Sequence, residues 1–157
     1  MTAIQLNLLG GEQTVRTTDD YYTPRWIFDA LGLTFDLDVA CPPEGPINVP
    51  AACWYTAADD GLAQPWTGRV WMNPPYSKPT PWVSRWLEHG NGIALLPMAK
   101  SKWLQTLWDS EAALVYLYAL KFERLDATLN GSTPFPLGLW ALGHDNIEAL
   151  AKLGKVR

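Results

Sequence analysis

The stretch "RVWMNPPYSKPTPWVSRW", Arg69–Trp86, decides how this chain folds. Val70, Trp71 and Met72 form a short apolar run of the kind that makes a buried strand. Asn73-Pro74-Pro75-Tyr76 ends it, because two consecutive prolines fix φ and remove two backbone donors. "TPWVSRWLEHG", Thr80–Gly90, then sets Trp82, Val83, Trp86 and Leu87 on one helical stripe, with Gly90 as the stop. A strand, a stiff turn and an amphipathic helix are the first half of a parallel βαβ unit.

The same grammar continues in both directions. Upstream, "YYTPRWIFDALG" has Thr23 as helix cap, Pro24 at the first position, apolar residues at Ile27, Phe28 and Leu31, and Gly32 as stop. "LTFDLDVA" alternates through Phe35, Leu37 and Val39 as a short strand. Downstream, "GIALLP" reads as a buried strand and "SKWLQTLWDS" as a helix. "AALVYLYAL" and "PFPLGLWAL" read as two more strands and "NIEALAKLG" as a closing helix. Cys41–Ala58 has little period and reads as loop with room for one helical turn. Residues 1–18 read as a flexible arm and 19–157 as a single domain. Strands alternating with helices predict an α/β fold around a mostly parallel sheet. In such a sheet ligands gather outside the carboxyl ends of the strands. Asp38, Asn73 and the Pro97–Lys102 segment fall at three such ends, which predicts one crevice.

At 157 residues, 48% apolar and 18% charged, the chain suits one folded domain and not a disordered one. Its net charge of −4 excludes a uniformly basic nucleic-acid binder, so any phosphate contact must come from local cations. Arg69, Lys78, Arg85, Lys100, Lys102, Lys121 and Arg124 supply more than half of the 12 basic residues. Cys41 and Cys53 are too few for a disulfide framework, and with only His89 and His144 beside them no metal site is expected. With no leader and no run of 18 apolar residues, the chain reads as soluble, intracellular and without a membrane partner.

Asn73-Pro74-Pro75-Tyr76 suggests a chemistry. An exocyclic amine on a base is a poor nucleophile, because its lone pair is spread into the ring. The Asn73 side-chain oxygen and the Pro74 carbonyl can accept from its two N–H bonds, which is positioning and electrostatics. Tyr76 offers a face to an extruded base, a contact worth roughly 1–3 kcal/mol, against the few kcal/mol of flipping. Asn73 has no proton affinity for general-base work. The plainer alternative is a proline-stiffened turn with Tyr76 packed. Asp36 and Asp38 share one strand face and serve either a ligand or solvent. Asp59-Asp60-Gly61 is either a site or a turn. Lys78, Lys100 and Lys102 lie just past strand ends, facing phosphates or water. Trp82, Trp86, Trp103 and Trp108 have the spacing of core residues, while Trp71 shares the side of the strand that Asn73 occupies.

The ordered set "DDYYTP", "FDLDVAC", "DDGLAQPW", "VWMNPPYS", "ALLPMAKSKWLQTLW" and "KFERL…GSTPFPLGLWAL" resembles the phage-encoded DNA N6-adenine methyltransferases of the Dam type, over about residues 19–142. The resemblance implies a Rossmann-like methyltransferase fold in a minimal version, S-adenosylmethionine as donor, and adenine N6 in double-stranded DNA as acceptor. It assigns Asn73, Pro74, Pro75 and Tyr76 to the target base, and Tyr22, Thr23, Pro24, Asp38, Ala40 and Asp60 to the cofactor. Lys78, Lys100 and Lys102, from their place past the strand ends, are then the candidates for DNA phosphates. It also implies a phage or prophage protein working in the cytoplasm of a bacterial host. Where general methyltransferases have a glycine-rich turn, this chain has "DVACPPEG", with Gly45 alone and Glu44 as a candidate ribose acid. Other acceptors for the same motif are an RNA base or a protein glutamine amide. A non-catalytic module binding DNA or a partner through its tryptophans is the third reading. The oligomeric state is left open.

Overall fold

Apolar strands that must be covered on both faces set the architecture, seen in a computed structural model. It describes residues 22–123 and 135–157, with the backbone of 3–6, 12–15 and 129–132. In chain order the elements are β1 (Ala3–Leu6), β2 (Glu12–Val15), α1 (Arg25–Leu31), β3 (Phe35–Asp38), β4 (Ala51–Trp54), β5 (Val70–Met72), α2 (Thr80–His89), β6 (Gly92–Pro97), α3 (Lys102–Trp108), β7 (Ala113–Leu117), β8 (Lys121–Glu123), β9 (Leu129–Ser132), β10 (Leu137–Leu142) and α4 (His144–Leu150). Six strands form the central sheet in the order β4-β3-β5-β6-β10-β7, and β1-β2 and β8-β9 are separate antiparallel pairs.

Pairing is parallel from β4 through β6, and β10 runs antiparallel to both β6 and β7. Five strands therefore point one way, as expected for a mostly parallel sheet, with β10 reversed between β6 and β7. Every residue of β5 and β6 is buried, the pattern of strands covered on both faces. Alternation divides them between two cores. Trp71, Ile93, Leu95 and Leu139 pack with Ile27, Phe28 and Leu31 of α1 and Leu150 of α4. Met72, Ala94, Leu96 and Trp140 pack with Val83 and Trp86 of α2 and Leu107 of α3. The chain leaves β3 for β4 on one side and returns to β5 on the other. The sheet thus has its switch point between β3 and β5, where a crevice opens at the strand ends.

Three expectations change. The 41–58 stretch contains the edge strand β4, whose side chains are partly or wholly exposed, so no buried alternation marks it in sequence. The expected helical turn there is a 3-10 turn at Ala57–Asp59. Helix α1 is capped by Pro24 at φ −66° and ψ 145°, with no side-chain cap bond, rather than by Thr23. Thr23 is buried and faces the crevice instead. At the other end Gly32 does close α1, at φ 64° with its N–H donating to the Phe28 carbonyl. Trp108, read as core, is 60% exposed.

Candidate active site at the carboxyl ends of the strands

The switch point opens into a cavity of about 270 Å3. Its walls come from four places in the chain: Tyr22 and Thr23 before α1, the Asp38–Pro43 and Pro46–Val49 segments after β3, Thr56–Gly61 after β4, and Asn73–Tyr76 after β5. Trp71, Trp82 and Phe122 complete it. Tyr22, Thr23, Asp38, Ala40, Asp60, Asn73, Pro74, Pro75 and Tyr76 are thus brought together. Pro24 does not line the cavity; it caps α1. Lys78 and Lys100, on the connections after β5 and β6, and Lys102, which opens α3, are exposed outside the cavity. Arg124 and the Asp19–Tyr21 part of the opening segment lie outside the described residues.

Asp38 ends β3 with only 2% of its surface exposed. Its Oδ1 accepts from the Ala40 N–H at 3.2 Å. Burial pushes its carboxyl up to about 7, opposed by the Ala40 N–H and by a hydrogen bond from Cys41. Burial, and then the negative charge of Asp38, push the Cys41 thiol up in turn, so it stays protonated and is no nucleophile. Among the described residues Asp38 has no cationic partner. A buried carboxylate without one favours a ligand that carries positive charge.

The glycine-poor turn after Asp38 is held by neighbours. The Tyr55 N–H donates to the Asp38 carbonyl at 2.9 Å, and the Cys41 N–H to the Tyr55 carbonyl at 2.8 Å. Further on, Gly45 takes φ 99° where the chain reverses. Glu44 is exposed and accepts from Tyr22 Oη at 3.0 Å, which closes the loop against the opening segment and spends its carboxylate there. Asn48, missed in the sequence, donates through Nδ2 to the Thr23 carbonyl at 3.0 Å and to Glu123 Oε2 at 2.9 Å. Tyr22 and Glu123 exchange two backbone hydrogen bonds, so three distant segments are joined at one wall.

On the opposite wall, Asp60 adopts φ 56° and ψ 74°, and among the described residues it is the only non-glycine with positive φ. Gly61 follows so close to β3 that a Cβ there would lie 2.1 Å from the Val39 carbonyl oxygen. Trp66 Nε1 donates to the Gly61 carbonyl at 2.8 Å. Arg85 donates to the carbonyls of Leu62 and Gln64, and its guanidinium lies 4.6 Å over the Trp66 ring. Asp36, the other strand acid, accepts from the Arg69 N–H at 2.7 Å and takes no part in the cavity.

Asn73 is half-buried at the end of β5, and among the described residues its side chain has no hydrogen-bond partner. Tyr76 is fixed: its hydroxyl donates to the Leu95 carbonyl at 3.2 Å and its ring meets Phe135 edge-on at 6.1 Å. A free amide beside a fixed aromatic ring suits a flat ligand with donors on its edge. Trp71 and Trp82 also line the cavity, so two tryptophans of the strand and helix pattern do more than fill the core. No helix among the described residues is long and apolar enough to cross a membrane.

Comparison with known proteins agrees with this geometry. Residues 11–131 match the family described as DNA N-6-adenine-methyltransferase (Dam). A DNA N-6-adenine-methyltransferase of Haemophilus phage HP1 is 31% identical over 110 residues. The aligned part spans 63% of this chain and 62% of that protein, so the likeness leaves over a third of the relative's length unmatched.

Proposed function

From the premise that this chain belongs to the DNA N-6-adenine-methyltransferase (Dam) family, we propose that it methylates the N6 amine of adenine in DNA. S-adenosylmethionine, when bound, supplies a methyl group on positively charged sulfur, leaving as a neutral thioether. The cavity suits such a donor: a buried carboxylate with no cation beside it among the described residues, and apolar and aromatic walls from Val39, Ile47, Val49 and Trp82. Asp38 holds the positive end of the donor, Thr23 and Ala40 shape the adjoining wall, and Asp60 accepts from polar groups at the other end. This is a Rossmann-like methyltransferase site in which hydrogen bonds from neighbouring strands stand in for a glycine-rich turn.

Asn73 and the Pro74 carbonyl take the two N–H bonds of the adenine amine and orient its lone pair into the cavity. Tyr76, held by the Leu95 carbonyl, stacks the extruded base. The amine nitrogen bonds the methyl carbon as the carbon–sulfur bond breaks, and the methylated nitrogen then gives up one proton to solvent. The site has to align the amine rather than act as a strong base, which agrees with an amide and a proline carbonyl at the target position. The single observation that carries the reading is the convergence of Asp38 and Asn73–Tyr76 on one cavity.

The test is transfer of labelled methyl groups to unmethylated duplex DNA, followed by digestion to nucleosides. The label is expected on N6-methyl-2′-deoxyadenosine. Asn73→Ala is expected to lower turnover by about 10²–10³-fold, as for loss of one preorganised polar group, with donor affinity kept. Label on RNA or protein and none on DNA would overturn the choice of acceptor. Loss of donor affinity in Asn73→Ala would overturn the division of roles.

A further inference from the structure

Tyr116 is 52% and Tyr118 80% exposed, on a part of the surface that the methyl-transfer site does not use. Strand β7 runs parallel to β5 and β6, so Tyr116 and Tyr118 lie at the sheet edge that also carries Asn73 and Pro97. Tyr116 shares a strand face with Leu114, which packs in the core beneath α2 and α3. Its register partner on β10 is Gly138, so no side chain flanks it from that strand. Helix α3 starts at this same edge, with Lys100 and Lys102 exposed beside its cap Ser101.

The segments that carry these residues are basic, against the acidity of the chain as a whole. Neither His89–Trp108 nor Ala112–Phe122 contains an Asp or Glu, whereas they hold Lys100, Lys102 and Lys121. The neighbouring acids Asp109, Glu111 and Asp145 follow α3, precede β7 and follow β10, all at the other edge, and Glu123, just past Lys121, accepts from Asn48 Nδ2. Exposed aromatic rings beside lysines are complementary to a strand of duplex DNA: phosphates meet ammonium groups, and the apolar faces of the sugars meet rings.

We propose that Tyr116 and Tyr118, with Lys100 and Lys102, form a docking ledge for the DNA strand beside the target base. The proposal rests on the reading of the site as one that acts on DNA. Three strand spacings separate β5 from β7, a distance of roughly 15 Å. The ledge therefore lies about four nucleotides from the flipped adenine along a duplex strand. It recognises the strand's backbone by packing of rings on sugars and by charge, on one side of the target only.

The test measures polarisation of a fluorescein-labelled mixed-sequence DNA duplex, and S-adenosylmethionine affinity by calorimetry, for the parent chain and its variants. Tyr116→Ala and Tyr118→Ala are expected to weaken DNA binding several-fold, with donor affinity at the parent value. Tyr118→Phe keeps the ring and is expected to bind as the parent does. Lys100→Ala is expected to reduce the salt slope of DNA binding by about one. If the parent binds DNA and the tyrosine variants bind it equally well, the ledge is wrong and the DNA reading stands. If the parent binds the donor but no DNA, both are wrong.

Discussion

At the residue scale the cavity turns on Asp38, whose carboxyl is pushed up to about 7 by burial. The consequence for stability is opposite in sign to that of a paired carboxylate. Between the ordinary value of 3.8 and about 7, the folded chain holds a proton that the unfolded chain has lost. The contribution of Asp38 therefore becomes more unfavourable as pH rises through that window and is constant above it. Asp38→Asn removes the titration and keeps an acceptor for the Ala40 N–H. With each unit of displacement worth about 1.4 kcal/mol, the variant should melt several degrees above the parent at pH 8. That gap should shrink toward zero near pH 4, while donor binding at pH 8 is lost. Equal melting curves at pH 8 would mean that Asp38 is not held against its charge. Asp38 and Asn73 were both legible in the sequence, because each ends an apolar run and strand ends are where sheets bind ligands. Asn48 was not. Its partners, Thr23 and Glu123, lie 25 and 75 residues away, and nothing in "INVP" announces them.

At the scale of elements, the wall opposite Asp38 is a loop stitched to a helix. Thr56 and Asp59 bond each other reciprocally at its start. Trp66 then stacks on Trp82 at 6.4 Å, and His89 Nε2 lies 2.7 Å from the Gly68 carbonyl. Arg85 lies between, with its guanidinium on loop carbonyls and on the Trp66 ring. The stripe of α2 was visible as a helical period, but the destination of Arg85 was not. Counted as a basic residue it suggested a DNA contact, whereas the fold spends it inside. Arg69 is spent likewise, on Asn146 Oδ1 at 2.6 Å and the Thr34 carbonyl at 3.1 Å. Strand β4 escaped for the complementary reason: an exposed edge strand has no buried face to write an alternation. Arg85→Met should leave α2 intact and free the loop that carries Asp60 and Gly61. Hydrogen bonds from a charged donor are each worth about 1.5–3 kcal/mol, so donor affinity should fall at least tenfold. Arg85→Lys, which cannot reach several carbonyls from a planar fork, should recover only part of it. Calorimetric titration decides; unchanged affinity beside a lowered melting temperature would make the tether purely structural.

For the whole molecule, the cavity is where the chain returns to itself, with walls drawn from Tyr22 to Phe122. The layers of the fold were legible because each strand and helix carries its own period, and these periods fix which faces are buried. Which loops meet was not legible, since that depends on the crossing from β4 back to β5 and on β10 inserted between β6 and β7. A ligand in this place contacts segments that the sheet alone holds together, so binding should tighten all of them at once. At a donor concentration of 100 times Kd the stabilisation is about 2.7 kcal/mol. For a chain of this size each kcal/mol raises the melting temperature by roughly 2–4 °C, so the rise should be about 5–10 °C. Amide exchange locates it: S-adenosylmethionine should slow exchange in residues 40–49 and 57–64 together, because Asn48 and Arg85 tie both loops to the frame. Asn48→Leu should uncouple them, leaving the 57–64 loop protected and the 40–49 loop open. Protection of one loop alone in the parent chain would show that the donor does not bridge the two walls, and the assignment of Asp60 to the same ligand as Asp38 would fall.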